Sequence, residues 1–258
     1  MENIKRVLSF VRRAVDDYGM IEDGDRIAVG VSAGKDSLTL LAAMASLQRF
    51  YPKKFELCAV TVDMGFEGMD LSPIAKFCEE LEVEYKVVPT QISKIIFDVR
   101  KEKNPCSLCA KMRRGALYGF ARDIGCNKVA LGHHFDDVVE TFMLNLFYEG
   151  RLGCFQPVTF LSNTGITLIR PMIYMPEKDV RYFASRTELP VVKSTCPADG
   201  NTEREEMKKL LASIERNNRG LRYRIFGAIQ RGNIDGFHEI GKMGGLKAYE
   251  DEANTDAE

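Results

Sequence analysis

The sequence reads Ala28-Val29-Gly30-Val31-Ser32-Ala33-Gly34-Lys35-Asp36-Ser37 near its beginning. The apolar and largely β-branched residues up to Val31 predict a strand buried on both faces, and the apolar spacing after Ser37 predicts a helix. Small residues between them let the backbone approach a ligand closely, and the N–H groups at a helix start attract anions. Lys35 adds a full positive charge. The stretch therefore predicts an anion-binding turn, with an ordinary strand-to-helix turn as the alternative.

Two common phosphate loops do not match this stretch. The Walker loop needs Gly five residues before its Gly-Lys pair and Ser or Thr after the Lys, whereas Val29 and Asp36 occupy those positions. The dinucleotide fingerprint Gly-x-Gly-x-x-Gly is also missing.

The stretch resembles the pyrophosphate loop of the ATP pyrophosphatases, Ser-Gly-Gly-x-Asp-Ser, with Ala33 in place of the first Gly. The resemblance implies an enzyme that splits ATP between its α- and β-phosphates and activates its substrate as an adenylate.

The amino-acid composition limits the classes of protein to which this chain can belong. The chain has 258 residues, of which 45% are hydrophobic, which is enough for one large domain or for one domain with a small appendage. No apolar run approaches the length of a membrane span, and no signal-peptide core follows residues 1–6. We therefore expect a cytoplasmic protein with no membrane partner. Seven cysteines, an odd number, predict free or metal-bound thiols rather than a disulfide framework.

Charge is unevenly distributed along the chain, although the net charge is only −1. Residues 101–122 hold six basic residues and one acidic residue, and residues 201–231 hold eight basic and four acidic residues. Residues 249–258 hold five acids and no base, which predicts a disordered tail. Basic segments within a nearly neutral chain suit a focused anionic partner, and solvated helix faces are the alternative.

Strands and helices alternate along the chain, which predicts an α/β fold. We expect a Rossmann-like open parallel sheet with helices on both faces, similar to the adenine nucleotide alpha hydrolase-like (HUP) proteins. The expected boundaries are an N-terminal helix at 1–20, a PP-loop ATP pyrophosphatase domain at 21–198, a basic helical extension at 199–245 and the acidic disordered tail at 246–258. Later strands are predicted at 55–62, 84–88, 127–131, 167–169 and 190–193. A helix is predicted at 91–99, and a loop with room for one short strand at 150–163.

Polar residues follow two of these strands, at the edge where ligands bind in open parallel sheets. Asp63 ends the second strand and is placed to meet a nucleoside or a metal, with turn formation as the alternative. The fourth strand is followed by Gly132-His133-His134-Phe135-Asp136-Asp137. Gly132 lets the chain pass close to a base or ribose. Paired carboxylates beside phosphates favour Mg²⁺, and helix capping is the alternative.

The seven cysteines fall into groups. Three have apolar or helical surroundings and are expected in the core, while a fourth in a loop is ambiguous: Cys58, Cys78 and Cys126, then Cys154. Cys106 and Cys109 are one helical turn apart at a predicted helix start, and Cys196 follows the predicted last strand at the rim of the anion-binding turn. Three thiolates can hold zinc with a fourth ligand, or a 4Fe-4S cluster with one iron open. A single Cys-x-x-Cys pair plus one Cys favours the cluster over the usual two-pair zinc site.

Three further motifs resemble the tRNA 2-thiocytidine synthetase family. They are Pro-Cys-Ser-Leu-Cys-Ala-Lys-Met-Arg-Arg at 105–114, Gly-His-His-Phe-Asp-Asp at 132–137, and Ile-Arg-Pro at 169–171 with Glu-Lys-Asp at 177–179. The similarity spans about residues 20–200. It implies thiolation of an anticodon-loop cytidine of the C32 type, using ATP, Mg²⁺ and a 4Fe-4S cluster held by three cysteines.

The resemblance also implies roles for individual residues. ATP would be held by Ser32, Ala33, Gly34, Lys35, Asp36 and Ser37, with Asp63, Gly132, His133 and Asp136 around the nucleotide. Mg²⁺ would bind at Asp36, Asp136 or Asp137, with Lys35, Asp36 and Asp137 as the catalytic residues. The cluster would be held by Cys106, Cys109 and Cys196. Phosphates of the tRNA would be held by Arg113, Arg114, Arg222 and Arg224.

One departure from that family concerns the segment that begins at Cys196. Many relatives carry a second Cys-x-x-Cys there, whereas this chain reads Cys-Pro-Ala-Asp at 196–199, which weakens the inference about the substrate. The related 2-thiouridine enzymes carry zinc knuckles at both ends, and no cysteine precedes Cys58 or follows Cys196. Partners implied by the resemblance are tRNA and a sulfur donor, either a cysteine desulfurase or free sulfide, and a homodimer is allowed.

Three alternatives to tRNA thiolation stay open from the sequence. The first is another adenylating PP-loop enzyme, such as a lysidine-type or amide synthetase, which needs no thiolate set. The second is a desulfidase that removes sulfur from a thiolated base without ATP. The third is a zinc-stapled RNA-binding module without catalysis, which would bind zinc and form no AMP.

Overall fold

A six-stranded sheet carries most of the fold. The computed structural model describes residues 4–66, 68–100, 105–192, 196 and 203–239. The strands are β1 Asp25–Gly30, β2 Phe55–Asp63, β3 Glu84–Pro89, β4 Lys128–Ala130, β5 Val158–Leu161 and β6 Ile166–Ile169. Their order is β3-β2-β1-β4-β6-β5, parallel throughout except for the antiparallel pair of β5 and β6. The Rossmann-like sheet expected from the sequence is confirmed, with an antiparallel strand added at one edge.

Nine α-helices are found in the described residues. They are α1 Ile4–Asp17, α2 Lys35–Gln48, α3 Ser72–Glu80, α4 Ile92–Lys94, α5 Pro105–Asp123, α6 Phe135–Tyr148, α7 Glu177–Thr187, α8 Glu203–Glu215 and α9 Leu221–Arg231. A π-helical segment, Ile95–Val99, continues α4, and a short 3₁₀ turn, Ile234–Gly236, follows α9. None of the described helices is both long and apolar enough to cross a membrane.

Helices cover both faces of the sheet because β1 is buried on both faces. Ala28 packs in one apolar cluster with Leu117 and Ala121 of α5. Since side chains alternate along a strand, the fully buried Ile27 and Val29 point to the opposite face, where α2 packs on β1 and β2. This double burial explains why residues 26–31 are almost continuously apolar.

The sheet order reverses direction between β1 and β4. From β1 the chain moves through α2 to β2 and then to β3, whereas β4 and β6 lie on the other side of β1. In open α/β sheets the crevice outside the carboxyl ends of two such strands is the usual ligand site. That crevice is formed here by residues 31–34 and by residues 131–134, which directly follow β1 and β4.

The described residues divide into two units that interleave along the chain. One unit comprises residues 1–134 and 158–199 and holds the whole sheet, while the other comprises 135–157 and 200–258 and holds α6, α8 and α9. Helix α6 therefore groups with the basic C-terminal helices and not with the strand that precedes it. The linear boundaries expected from the sequence do not describe this grouping, and the acidic tail at 246–258 lies outside the described residues.

Two local predictions differ from the structure, and a third is confirmed. Residues 190–192 are not a strand: the Val192 N–H donates to the carbonyl oxygen of Ala33, and no sheet neighbour pairs with this segment within the described chain. The 150–163 loop does contain one short strand, β5. The helix predicted at 91–99 is α-helical for only three residues and continues as a π-helix.

Candidate active site

The anion loop, residues 31–34, lies between β1 and α2. The Ser32 N–H donates to the Ser37 hydroxyl (3.1 Å), and that hydroxyl donates to the Gly34 carbonyl oxygen (3.0 Å). Gly34 is the N-cap residue of α2 and supplies no capping side chain. The turn thus closes on itself through Ser37 and leaves the positive end of α2 without a capping oxygen, which is the arrangement that favours an anion.

Ala33 adopts a backbone conformation that is unusual for its residue type. Its φ angle is +63°, in the left-handed region that favours glycine, and its side chain is almost fully buried. Its carbonyl oxygen accepts the hydrogen bond from the Val192 N–H at 3.1 Å. The Gly of the Ser-Gly-Gly-x-Asp-Ser pattern, which this stretch resembles, would adopt this conformation without strain.

The ammonium group of Lys35 sits between two carboxylates beside the anion loop. Nζ of Lys35 lies 3.0 and 3.2 Å from the two carboxylate oxygens of Asp36 and 3.2 Å from Oε1 of Glu177. Burial lowers the pKa of Lys35, but the two carboxylates outweigh that effect and raise its pKa above the usual value. Lys35 therefore remains charged and available to an anion.

The loop after β4 approaches the start of α2 closely. A Cβ atom placed on Gly132 would lie 3.1 Å from the carbonyl carbon and oxygen of Asp36 and 3.2 Å from the Ser37 nitrogen. The buried His134 places Nε2 3.9 Å from Oδ1 of Asp36, whereas the neighbouring His133 is half-buried. The structure thus brings Gly132 and the anion loop together, as expected from the sheet order. The nucleotide contacts expected of Gly132 and His133 stay predictions.

Asp63 stands at the carboxyl end of β2, as the sequence predicts. Its carboxylate accepts the Gly65 N–H at 2.9 Å, and its carbonyl oxygen accepts the Thr90 hydroxyl at 2.7 Å. These bonds shape the turn and tie the ends of β2 and β3 together. The contact with a nucleoside or a metal stays a prediction.

Asp136 and Asp137 belong to the second unit, where both face arginines. An oxygen of Asp137 lies 2.7 Å from the Arg204 guanidinium of α8, and an oxygen of Asp136 lies 3.3 Å from Nε of Arg222 of α9. Arg222 also pairs with Glu215. The sequence did not single out Arg204, because the only signal was its place in a basic segment. Magnesium binding by the two aspartates stays a prediction.

Glu140 lies one helical turn after these aspartates and is almost fully buried. Its Oε2 atom is 3.9 Å from Arg204, and its Oε1 atom has no hydrogen-bond partner among the described residues. Burial, together with the charge of Asp137 and against the opposing charge of Arg204, raises the pKa of Glu140 to about 7. Nothing in the sequence pattern of α6 marks this residue as a buried carboxyl.

The three cysteines expected to hold a cluster are electrostatic neighbours. Cys106 is exposed at the start of α5, and Cys109 and Cys196 are half-buried. Burial raises the pKa of the Cys109 thiol, the Arg113 guanidinium lowers it, and the negative charges of Cys196 and Cys106 raise it. Since such charges act strongly only at short range, Cys106 and Cys196 each lie near Cys109.

The donor set suits a cluster better than a closed zinc site. Among the described residues, no three His, Cys, Asp or Glu side chains are arranged so that they could hold a metal ion. The three thiols would therefore have to move closer together to bind an ion or a cluster. Three thiols without a fourth fit a 4Fe-4S cluster that leaves one iron free of cysteine. On the inner side, Cys109 packs against an apolar group centred on Met64, Ile92 and Ile96.

The other cysteines are placed as the sequence predicts. Cys58, Cys78 and Cys126 are buried, and burial raises the thiol pKa of Cys58 to about 12 and that of Cys78 to about 11. Such thiols are poor ligands because they stay protonated. Cys154 is half-buried in the second unit, where its N–H donates to Asp235.

The four arginines expected to hold tRNA phosphates have different surroundings. Arg113 and Arg114 are exposed on α5, and Nε of Arg114 donates to the Ala110 carbonyl oxygen. Arg224 is exposed and bonds to the Arg219 carbonyl oxygen at 2.8 Å. Only Arg222 has most of its side chain buried, between acidic groups. The tRNA contacts of all four stay predictions.

Comparison with known proteins agrees with the fold and the loop. The sequence profile of the PP-loop domain matches residues 4–209. The chain is 42% identical over 233 residues to a tRNA-cytidine(32) 2-sulfurtransferase of Geobacter sulfurreducens, which covers 89% of this chain and 90% of the relative. It is 42% identical over 229 residues to the protein of the same name from Teredinibacter turnerae, with 88% and 76% covered.

A solved structure is also similar. It is the U34-tRNA thiolase NcsA from Methanococcus maripaludis with its 4Fe-4S cluster, which superposes with a TM-score of 0.73. The two sequences are 28% identical, and the match covers 92% of this chain and 81% of that chain.

Proposed function

This chain belongs to the tRNA-cytidine(32) 2-sulfurtransferase family of PP-loop proteins, and we propose that it replaces the 2-oxygen of an anticodon-loop cytidine in tRNA with sulfur, using ATP. One observation carries the proposal: a single unit holds both the anion loop and three neighbouring thiols, Cys106, Cys109 and Cys196. An adenylating enzyme without sulfur chemistry needs only the loop, and a zinc-stapled module needs only the thiols.

The anion loop serves the first half of the reaction. The cytosine oxygen attacks the α-phosphorus of ATP, the bond from that phosphorus to the bridging oxygen breaks, and pyrophosphate leaves. N–H groups at the start of α2 and the Lys35 ammonium stabilise the charge that develops on pyrophosphate. A donor of this kind contributes about 3–4 kcal/mol to the transition state. Asp36, at the same place, is the residue of this unit suited to hold Mg²⁺ against the phosphates.

The thiols serve the second half. A sulfur nucleophile attacks carbon 2 of the adenylated base, and AMP departs with the former oxygen of the base. Cys106, Cys109 and Cys196 would hold the 4Fe-4S cluster, which supplies a place for sulfide at the iron that no cysteine binds. The apolar side chains packed against Cys109 exclude water from one side of that thiol. The sulfur comes at the sulfide level, either as free sulfide or from the persulfide of a cysteine desulfurase after its two-electron reduction by a thiol.

The tRNA is proposed to lie on the basic residues of α5 and α9. Arg113 and Arg114 are exposed, and their guanidinium groups are suited to phosphate contacts. Arg224 is exposed as well, whereas Arg222 would have to exchange its acidic partners for phosphate. Asp136 and Asp137 are also proposed as Mg²⁺ ligands. To bind the ion they would have to give up their pairing with arginines. We further propose that the protein acts in the cytoplasm.

The test is anaerobic purification followed by metal analysis, an optical spectrum and a thiolation assay on unmodified tRNA. We expect iron, visible absorbance, and AMP formed together with 2-thiocytidine. The Cys196→Ala variant should lose the absorbance and the thiolation but keep ATP binding. Cys154→Ala, which alters a half-buried thiol of the other unit, is the matched control and should keep all three.

Each rival function predicts a different outcome of the same experiment. A colourless protein that still forms AMP would indicate another adenylating enzyme. One equivalent of zinc with no AMP would indicate an RNA-binding module, and sulfur removal without ATP would indicate a desulfidase. Thiolation retained by Cys196→Ala would refute the role of the three cysteines.

A further inference from the structure

The segment Glu-Lys-Asp at 177–179 belongs to a quoted motif to which the reaction above assigns no task. Glu177 begins α7, and its side chain is almost fully buried although it carries a charge. Its Oε1 atom accepts bonds from Arg181, one turn along the same helix, at 2.9 and 3.2 Å. The same atom lies 3.2 Å from Nζ of Lys35. A buried carboxylate is thus directed at the lysine of the anion loop.

Three carboxylate oxygens surround the ammonium of Lys35, and a phosphate oxygen would replace one of the two that belong to Asp36. A lysine ammonium has three N–H donors. Its three nearest acceptors here are the two carboxylate oxygens of Asp36 and Oε1 of Glu177. Asp36 is the next residue in the chain and moves with Lys35, whereas Glu177 is 142 positions away in sequence and belongs to another helix. Glu177 is therefore the contact that fixes the ammonium relative to the rest of the unit.

Helix α7 is itself held in place. Its apolar residues Val180 and Phe183 are buried, and α7 packs on both α1 and α2. Position 177 is thus fixed with respect to the start of α2, where the anion loop ends. A side chain held in this way can set the direction of a neighbouring flexible lysine.

We propose that Glu177 is a positioning residue, whose buried carboxylate holds the Lys35 ammonium over the anion loop in the direction that meets the leaving pyrophosphate. This inference rests on the proposed function. ATP binding itself depends mainly on the loop N–H groups and on the base and ribose. Loss of Glu177 therefore affects the step in which charge develops on pyrophosphate, rather than the binding of ATP.

The first test compares Glu177→Gln with Asp179→Asn. Both remove one negative charge from an equally buried acid on the first turn of α7, but Asp179 pairs with Arg6 and not with Lys35. For Glu177→Gln we expect kcat for pyrophosphate release to fall about 10- to 100-fold, as for a misplaced catalytic group. Its dissociation constant for ATP should change less than about threefold, because ground-state binding is retained. Asp179→Asn should keep kcat, and Glu177→Asp should recover part of it.

The second test is a double-mutant cycle with Lys35→Ala. If Glu177 acts through Lys35, adding Glu177→Gln to Lys35→Ala should change kcat by less than about twofold, because the group it positions is gone. Multiplicative losses in kcat, or equal losses for Glu177→Gln and Asp179→Asn, would overturn the proposal and leave Glu177 a structural residue.

A third measurement does not depend on turnover. The ammonium signal of Lys35 in ¹⁵N-lysine-labelled protein, assigned by its absence in Lys35→Arg, should exchange slowly with water in the wild type and in Asp179→Asn. It should exchange fast in Glu177→Gln. An unchanged exchange rate in Glu177→Gln would contradict the positioning role. Failure of the wild type to thiolate tRNA would instead contradict the proposed function and leave this exchange result standing.

Discussion

The N–H of Val192 donates a 3.1 Å hydrogen bond to the carbonyl oxygen of Ala33. This bond joins the anion loop to the segment that leads, four residues later, to Cys196. Ala33, which supplies this carbonyl oxygen, has a φ angle of +63°. The backbone conformation of one loop residue therefore bears on both the nucleotide site and the approach to the third cysteine.

Replacing Ala33 tests that conformation. Gly would relieve about 1–2 kcal/mol of left-handed strain. It would also lose about 0.8 kcal/mol from one buried methyl group and about 0.5–1 kcal/mol in chain entropy. Ala33→Gly should therefore leave the free energy of unfolding within about 1 kcal/mol of the wild type, by urea titration, with ATP affinity kept. Ala33→Val should lose about 2 kcal/mol or more and most ATP binding, since a β-branched residue rarely adopts this φ.

Gly132→Ala should impair nucleotide binding. The added Cβ would stand 3.1 Å from the backbone of Asp36, so the start of α2 would have to move away from the loop after β4. We expect a loss of about 1–3 kcal/mol in stability, as for other overpacked sites, and a weaker ATP affinity by calorimetry. The control is Gly119→Ala on α5, where an added Cβ meets nothing within 4 Å. Equal ATP affinities in the two variants would contradict the close approach at Gly132.

Glu140 should make stability depend on pH. Its pKa is about 7 in the folded chain and about 4.5 when unfolded, so the folded state binds the extra proton between those values. The folded state is stabilised because it keeps this buried carboxyl neutral. That stabilisation is fully present below pH 4.5 and is lost as the pH rises through 7. The loss amounts to about 3.4 kcal/mol above pH 8, from about 2.5 pKa units at about 1.36 kcal/mol each.

The measurement is urea unfolding of the wild type and of Glu140→Gln at several pH values. The variant should gain about 2.5 kcal/mol relative to the wild type between pH 5 and pH 8, because part of the change already occurs below pH 5. Asp98→Asn, at an acid of the other unit, should show no such pH-dependent gain. A constant difference between wild type and Glu140→Gln would mean that this carboxyl is charged throughout.

The exposed arginines of α5 should contribute to tRNA affinity electrostatically. Replacing both Arg113 and Arg114 by Gln should weaken binding of any tRNA and reduce the slope of log affinity against log salt by about 1–2, since each phosphate contact releases roughly one counterion. Arg49→Gln, at an exposed arginine paired with Glu82, is the control and should leave the slope unchanged. An unaltered slope in the double variant would make these arginines a plain solvated face.

Arg222→Gln should behave differently from those two arginines. Its side chain is mostly buried and faces both Asp136 and Glu215, so its loss leaves two acids without their partner. We expect the free energy of unfolding to drop by about 1–3 kcal/mol. If the free energy of unfolding is unchanged and only the slope of log tRNA affinity against log salt falls, Arg222 contacts tRNA and does not stabilise the helices of its unit.

Much of the sheet was predictable because its strands carry a strong local signal. Residues 26–31 are apolar on both faces, and the Ser-x-Gly-Lys-Asp-Ser turn between strand and helix has one common structural context. The failure at 190–192 has a physical reason: two valines after Pro190 favour an extended chain, but the N–H of Val192 finds its partner in a loop rather than in a strand.

The site was less predictable where it depends on distant pairs. The contacts of Lys35 with Glu177 and of Asp137 with Arg204 join residues far apart in the chain, and no periodic pattern specifies them. The grouping of α6 with α8 and α9 likewise follows from packing of aromatic residues such as Phe135 and Phe226, whose ring centroids are 4.9 Å apart. The sequence marked these aromatics only as apolar positions in separate helices.

The pairing of β1 with β4 has a consequence for synthesis of the protein. The two loops of the crevice come from strands about 100 residues apart and meet only when these strands lie side by side. A nascent or truncated chain that stops before residue 128 would therefore carry a complete Ser-Ala-Gly-Lys-Asp-Ser sequence and yet lack the loop after β4 that packs against the start of α2. An anion loop built in this way is completed only when the sheet is finished.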